Sequence, residues 1–224
     1  MKKNILCIVA HPDDEALGVG GSLIKHSESG DKVYIIIFSD GEGAKPQDDK
    51  NPHRLSDAEK WSAQANCELY KSFNYPDQRL DTVPQIELVK KIEKIIKEIK
   101  PDIVYIHNPT EINKDHQVIS EASLVALRPM KFPNFLPEIR AFETPSSTDQ
   151  APNLSGIIFR PNLYISVFEV WDKKIKGLKL YKKEIGEFPH PRSEESLRAL
   201  AVKRGAESGL RYAEAFMIIK KIIT

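Results

Sequence analysis

The sequence predicts an α/β fold, a mostly parallel sheet with helices on both faces. Three observations point to it. Short continuous apolar runs recur at Ile5–Ala10, Val33–Ser39 and Ile103–His107. They lack the in-out alternation of a half-solvated strand, as strands buried on both faces do. Helix-patterned segments lie between them, which is the order of strand–helix–strand units.

Each element has its own reason. Ile5–Ala10 is the first strand, and Ala16–Ser29 follows with a helical pattern that ends in Ser-Gly, so Gly30 is the expected C-cap. Val33–Ser39 closes the first unit, and Gly41–Pro52 reads as a mobile polar loop. Pro84–Lys100 places Ile86, Val89, Ile92, Ile95, Ile96 and Ile99 on one stripe with lysines opposite, a core-facing helix. Pro101-Asp102 ends it, Ile103–His107 is a buried strand, and His116–Leu127 is helical again. Arg128–Gly156 is rich in proline, serine and threonine and reads as irregular, with a short strand near Ile139–Phe142. Leu163–Phe168 is a further strand. Glu169–Glu184 and Glu194–Gly209 are expected helices, separated by "FPHPRS". There is no internal repeat and no linker of domain scale. The expectation is a three-layer α/β/α, Rossmann-like single domain over residues 1–224, with 128–224 as its C-terminal elaboration.

Composition narrows the function classes. The 224 residues are 41% hydrophobic and 29% charged, ordinary for a globular chain. Lysine plus arginine (33) against aspartate plus glutamate (32) leaves a net charge of +1, which argues against nucleic acid or an anionic membrane as a partner. No apolar run approaches the length of a membrane span. The short run at Ile5–Ala10 is cut off by proline and acids, unlike a signal peptide. Cys7 and Cys67 make no disulfide framework, so a cytoplasmic location is expected, and the Asn153-Leu-Ser sequon carries little weight there. The apolar, proline-bearing Met130–Pro137 is read as either a substrate lid or a contact in a homo-oligomer.

The chemistry concentrates in "IVAHPDDEALG" (Ile8–Gly18). Ligands of an open parallel sheet bind beyond the carboxyl ends of its strands. There, Asp13 and Asp14 would repel each other and resist burial unless a cation compensates them. His11 beside them favours zinc or a similar transition metal over calcium. His11 and Asp14, three apart on a turn stiffened by Pro12, are the expected ligands. Asp13 is left near the metal, free to handle protons. A catalytic zinc site needs a third ligand, and His116 in "NKDHQ" follows the strand Ile103–His107 at the same sheet edge. Asp115 is the expected partner that orients an imidazole.

Simpler readings exist for each residue. One aspartate of the pair would serve as a helix N-cap. His116 alone reads as an ordinary first-turn residue, and His107 as a strand end bonded within the sheet. His26 and His53 read as solvent-facing. "GVGGS" (Gly18–Ser22) lacks the spacing of a phosphate loop and reads as close helix–sheet packing. "SDGEG" (Ser39–Gly43) reads as a turn lining the same cleft.

"AHPDDEALGVGGSL", "RLSD" and "NKDHQ" resemble the PIG-L/LmbE-like family of zinc-dependent N-acetyl-sugar deacetylases. "RP" at Arg128, "ETPSST", "FPHPRS" and "AEAF" resemble a bacterial branch associated with glycan or sugar-conjugate synthesis. The resemblance implies His11, Asp14 and His116 as zinc ligands and Asp13 as the general base. It implies Arg54 as a substrate contact, although Asp57 stands where glutamate is commoner. Many members carry a histidine where this chain has Asn113, and that residue helps stabilise the oxyanion. Asn113, His107 and His190 are therefore candidates near the substrate, with His190 the candidate catalytic replacement. Arg192 is a candidate substrate contact or a plain salt-bridge partner. The implied activity is release of acetate from an N-acetylated amino sugar or sugar conjugate. An amidase on another sugar-linked amide and a non-catalytic metal- or sugar-binding member are the competing readings. A nucleotide-binding alternative rests on fold class alone.

Overall fold

The computed structural model describes residues 2–43, 51, 53–132, 135, 137–151 and 158–223. A seven-stranded sheet forms the middle layer. Its strands are β1 (Asn4–Val9), β2 (Lys32–Ser39), β3 (Glu68–Tyr75), β4 (Ile103–His107), β5 (Glu138–Phe142), β6 (Leu163–Ser166) and β7 (Ala213–Lys220). They lie in the order β3-β2-β1-β4-β5-β7-β6. The first five are mutually parallel, while β7 runs antiparallel to both β5 and β6.

The continuous apolar runs have the cause expected of them. Along β1, Ile5, Cys7 and Val9 enter one core, and Leu6 and Ile8 enter the other. Neither face of the strand meets water, so every position is apolar. The first core is closed by α1 (Asp14–Glu28), α2 (Arg54–Gln64), α5 (Trp171–Leu178) and α6 (Glu194–Ser208). The second is closed by α3 (Gln85–Ile99) and α4 (Lys114–Ala126).

The sequence reading needs four corrections. α2, β3 and β7 had no counterpart in it. β3 is an edge strand with half-exposed residues, so it lacks the unbroken apolar run that marks a central strand. The helix expected over Glu169–Glu184 spans only Trp171–Leu178. Beyond it the chain turns and brings Tyr181 to Glu15 of α1 and Glu184 to Arg54 of α2. Ile86 is 58% exposed in the first turn of α3, although the rest of its stripe is buried. His26 is half-buried, with Nδ1 2.8 Å from Asp31 and Nε2 3.0 Å from the Tyr105 hydroxyl. Much of the loop 41–52, the Asn153 sequon and part of 130–137 lie outside the described residues.

α1 approaches the sheet closely because its glycines allow it. A Cβ at Gly18 would sit 2.3 Å from Phe142 Cδ2 and 2.9 Å from the Glu143 carbonyl oxygen. Gly18→Ala is therefore expected to lower stability by about 1–3 kcal/mol through overpacking, read as a drop in melting temperature. No helix among the described residues is long and apolar enough to cross a membrane.

Candidate metal and catalytic centre

β1 and β4 are neighbours at the middle of the sheet, and the strand order reverses direction between them. That switch point opens a crevice beyond their carboxyl ends. His11–Asp14 follow β1, and His107 ends β4. His116 comes from the first turn of α4, which Asn113 caps by accepting from the Asp115 and His116 N–H groups. Asn113 thus has a structural task, which accounts for its presence beside the site without a substrate.

Three ligand atoms converge. His11 Nδ1 and His116 Nε2 are 3.2 Å apart, and each lies 3.3 Å from Asp14 Oδ2. A tetrahedral zinc with ligands at 2.0–2.1 Å separates its ligand atoms by about 3.3 Å. The triangle therefore matches three corners of such a site, and all three residues are buried.

The outer ring nitrogens are held by carboxylates. His11 Nε2 lies 3.0 Å from Asp77 and 3.1 Å from Asp115, and His116 Nδ1 lies 3.4 Å from Glu111. Proton donation outward leaves the inner nitrogens free as lone pairs. Asp115 is further locked by N–H groups of Gln78 and Leu80. Burial alone would push His11 below its ordinary value, but the bonds from Asp115, Asp14 and Asp77 hold it well above. Burial likewise opposes a charged His116, and Asp14 and Glu111 reverse it. Burial would raise Asp14, yet the neighbouring His116 leads in holding it well below the carboxylate range. This cluster attracts a positive charge.

His107 belongs to the centre in a different role. Burial and the neighbouring His116 push it down to about 4, so it is neutral near pH 7. Its Nε2 accepts the Ala10 N–H at 3.0 Å, and its ring stacks on His116 at 3.9 Å.

Asp13 stands apart from the triangle. Its φ of 117° is in a region that non-glycine residues rarely adopt, and its side chain makes no capping bond. Oδ2 receives Arg54 Nη2 and Arg192 Nη1, both at 2.9 Å. Glu184 lies 3.4 Å and 3.5 Å from the same two nitrogens. Oδ1 is buried and has no hydrogen-bond partner among the described residues. The turn is braced by Glu15, which accepts the Asp13 N–H and the Tyr181 hydroxyl. Burial pushes Glu15 up to about 8. Arg54 is buried, donating to the carbonyls of Pro12 and Gly41, and the latter lies in the expected cleft-lining turn.

His190 is exposed, and its Nδ1 accepts the Arg192 N–H at 3.1 Å. It is Arg192, two residues on, that reaches Asp13. The sequence reading missed Glu15, Asp77, Glu111, Tyr181 and Glu184. Glu15 and Glu111 had a signal, since each is an acid near a proposed ligand. The other three are placed by the fold alone.

A family model described as PIG-L: GlcNAc-PI de-N-acetylase matches residues 6–127. The chain belongs to the PIG-L family. This PIG-L chain is 25% identical over 228 residues to a diacetylchitobiose deacetylase from Thermococcus kodakarensis, covering 98% of this chain and 84% of the relative. It shares the fold of N,N'-diacetylchitobiose deacetylase from Pyrococcus horikoshii, with a TM-score of 0.80 and 23% identity over 97% of this chain and 84% of that one. It is also 23% identical over 198 residues to a 4-oxalmesaconate hydratase from Pseudomonas putida, covering 79% of this chain and 72% of the relative. The names of these relatives cover different reactions, so the reaction has to be argued from the site.

Proposed function

We propose that the protein hydrolyses the N-acetyl amide of an amino sugar or sugar conjugate and releases acetate. In this reading His11, Asp14 and His116 hold one divalent transition ion, zinc by preference. The observation that carries it is the 3.2–3.3 Å triangle of inner ligand atoms, with Asp13 Oδ1 on the neighbouring residue unpartnered among the described residues. When bound, such an ion lowers the pKa of water to about 7 and polarises a carbonyl.

The chain's own residues supply the rest. Asp13 Oδ1 takes a proton from the attacking water and returns it to the departing nitrogen. Arg54 and Arg192 occupy Oδ2, so the incoming proton goes to Oδ1. The developing negative charge on the acetyl oxygen needs a fixed cation or donor beside it. Arg192 is the better placed for that than His190, because it already reaches the centre. Neutral His107 supports His116 by stacking and is a further group near the substrate. The free thiols of Cys7 and Cys67 support a cytoplasmic location.

The test is acetate release from N-acetylglucosamine and N,N'-diacetylchitobiose by protein loaded with one equivalent of zinc. Acetate is expected, with loss on chelation and return on zinc addition. Loaded protein that releases none from either compound would overturn the proposal.

A further inference from the structure

The segment Glu143–Thr148, "ETPSST", contributes no ligand to the centre, yet it borders it. It leaves β5 at the sheet edge that carries the candidate ligands, where Phe142 pairs with His107. Its shape is specified. The N–H groups of Ser147 and Thr148 both donate to the Thr144 carbonyl, at 3.0 and 2.9 Å. Ser146 has a φ of 73°, an uncommon conformation for serine. Its hydroxyl accepts Arg192 Nε at 2.9 Å, which ties the turn to the segment before α6.

One side chain of this turn reaches the centre. Thr148 Oγ1 lies 2.5 Å from Glu111 Oε1, and Glu111 Oε2 lies 3.4 Å from His116 Nδ1. The direction of this chain of bonds is fixed from its outer end. The Thr144 N–H can only donate, and it donates to Thr148 Oγ1 at 2.8 Å. The hydroxyl has a single proton, and that proton goes to Glu111. The other carboxylate oxygen takes the Nδ1–H of His116. The lone pair of His116 is left on Nε2, the nitrogen in the ligand triangle.

The two imidazoles are supported differently. Behind His11, Asp115 is held by two backbone N–H groups, those of Gln78 and Leu80. Behind His116, the buried Glu111 carboxylate has Thr148 and His116 as its only partners among the described residues. Its support on the outer side is a single hydroxyl, which a substitution can remove without touching a ligand.

We propose that Thr148 is a positioning residue of the metal centre: by anchoring Glu111 it holds the tautomer and direction of His116 and so sets the affinity for the ion. The inference rests on the ligand set proposed above and on no property of the sugar. Thr148 lies beyond residues 6–127, which the family model matches.

The test is the zinc dissociation constant of the full chain, read by competition with a chromophoric chelator. Thr148→Val keeps the shape and removes the hydroxyl, and it is expected to weaken zinc binding about tenfold, the lower end for partners of this kind. Thr148→Ser restores the hydroxyl and is expected to return the wild-type value. Asp149→Asn, at the exposed next position, is expected to leave that value unchanged. In a Glu111→Ala background Thr148→Val is expected to add no further loss, because the hydroxyl then has no carboxylate to hold. Thr148→Val also strands the Thr144 N–H, so the melting temperature of the metal-free protein is expected to fall. A fall in that temperature with an unchanged zinc constant would make Thr148 structural only and overturn the inference. A serine variant as weak as the valine one, or valine and Glu111→Ala losses that multiply, would overturn it too. Wild-type protein that binds no zinc would remove the ligand set, and this inference with it.

Discussion

Asp13→Asn is expected to lower kcat by about 10²–10⁴-fold while leaving zinc content at one equivalent. The amide is nearly isosteric with the carboxylate. Its oxygen still accepts from Arg54 and Arg192, which both approach Oδ2 at 2.9 Å. Asparagine also tolerates the positive φ of 117° that this position adopts. What the variant loses is the acceptor for the proton of water. Removing one charge from a buried cluster costs stability, up to about 3–5 kcal/mol when a partner is stranded. Glu184 remains beside both guanidiniums, so the loss should be smaller, and the melting temperature should be recorded with the kinetics. Full turnover in a zinc-loaded Asp13→Asn protein would remove Asp13 from the mechanism.

His116→Ala is expected to abolish tight zinc binding. Two inner ligands remain, the stack on His107 disappears, and Asp14 loses the leading favourable charge that offsets its burial. Asp115→Asn is the informative comparison, because it leaves all three inner ligand atoms in place and weakens the orientation of His11. Outer partners of this kind are worth about 10–100-fold in metal affinity. Metal analysis after dialysis should therefore rank wild type above Asp115→Asn, and Asp115→Asn above His116→Ala. His116→Gln fills the space and separates loss of the ligand from loss of packing. Zinc retained at one equivalent by both His116 variants would rule this ligand set out.

Much of the site was legible before the fold. Two aspartates and a histidine after a buried strand cannot be neutralised by one another, so a cation was implied by local chemistry. Asp115 was legible as a neighbour of a proposed ligand. Arg54 was legible only through the family resemblance, because nothing local marks a buried arginine at the start of a half-polar helix. Asp77 and Glu184 carried no signal: each is one acid among many in a polar stretch. The same holds for β3, whose half-exposed residues imitate a loop.

In the last third only His190 and Arg192 were singled out, both as candidates beside the resemblance, and the rest was not read as bearing on the site. Tyr181, Glu184 and Arg192 come from the region expected to be an elaboration, yet all three bear on Asp13 or on Glu15 beneath it. Lys174 and Glu214 from the same third form a buried pair, and Glu214 accepts the Gly21 and Ser22 N–H groups of α1. These contacts depend on where β7 re-enters the sheet, between β5 and β6.

By itself the sequence determined the layers, the edge of the sheet where the candidate ligands gather, and the proposal that a cation binds there. Those follow from short-range facts, namely which residues are apolar in a row and which charges are adjacent. The tertiary structure decided which arginines face Asp13 and which carboxylates stand behind His11 and His116. Such choices are made by groups distant along the chain, and only the packing of the whole fold sets their distances.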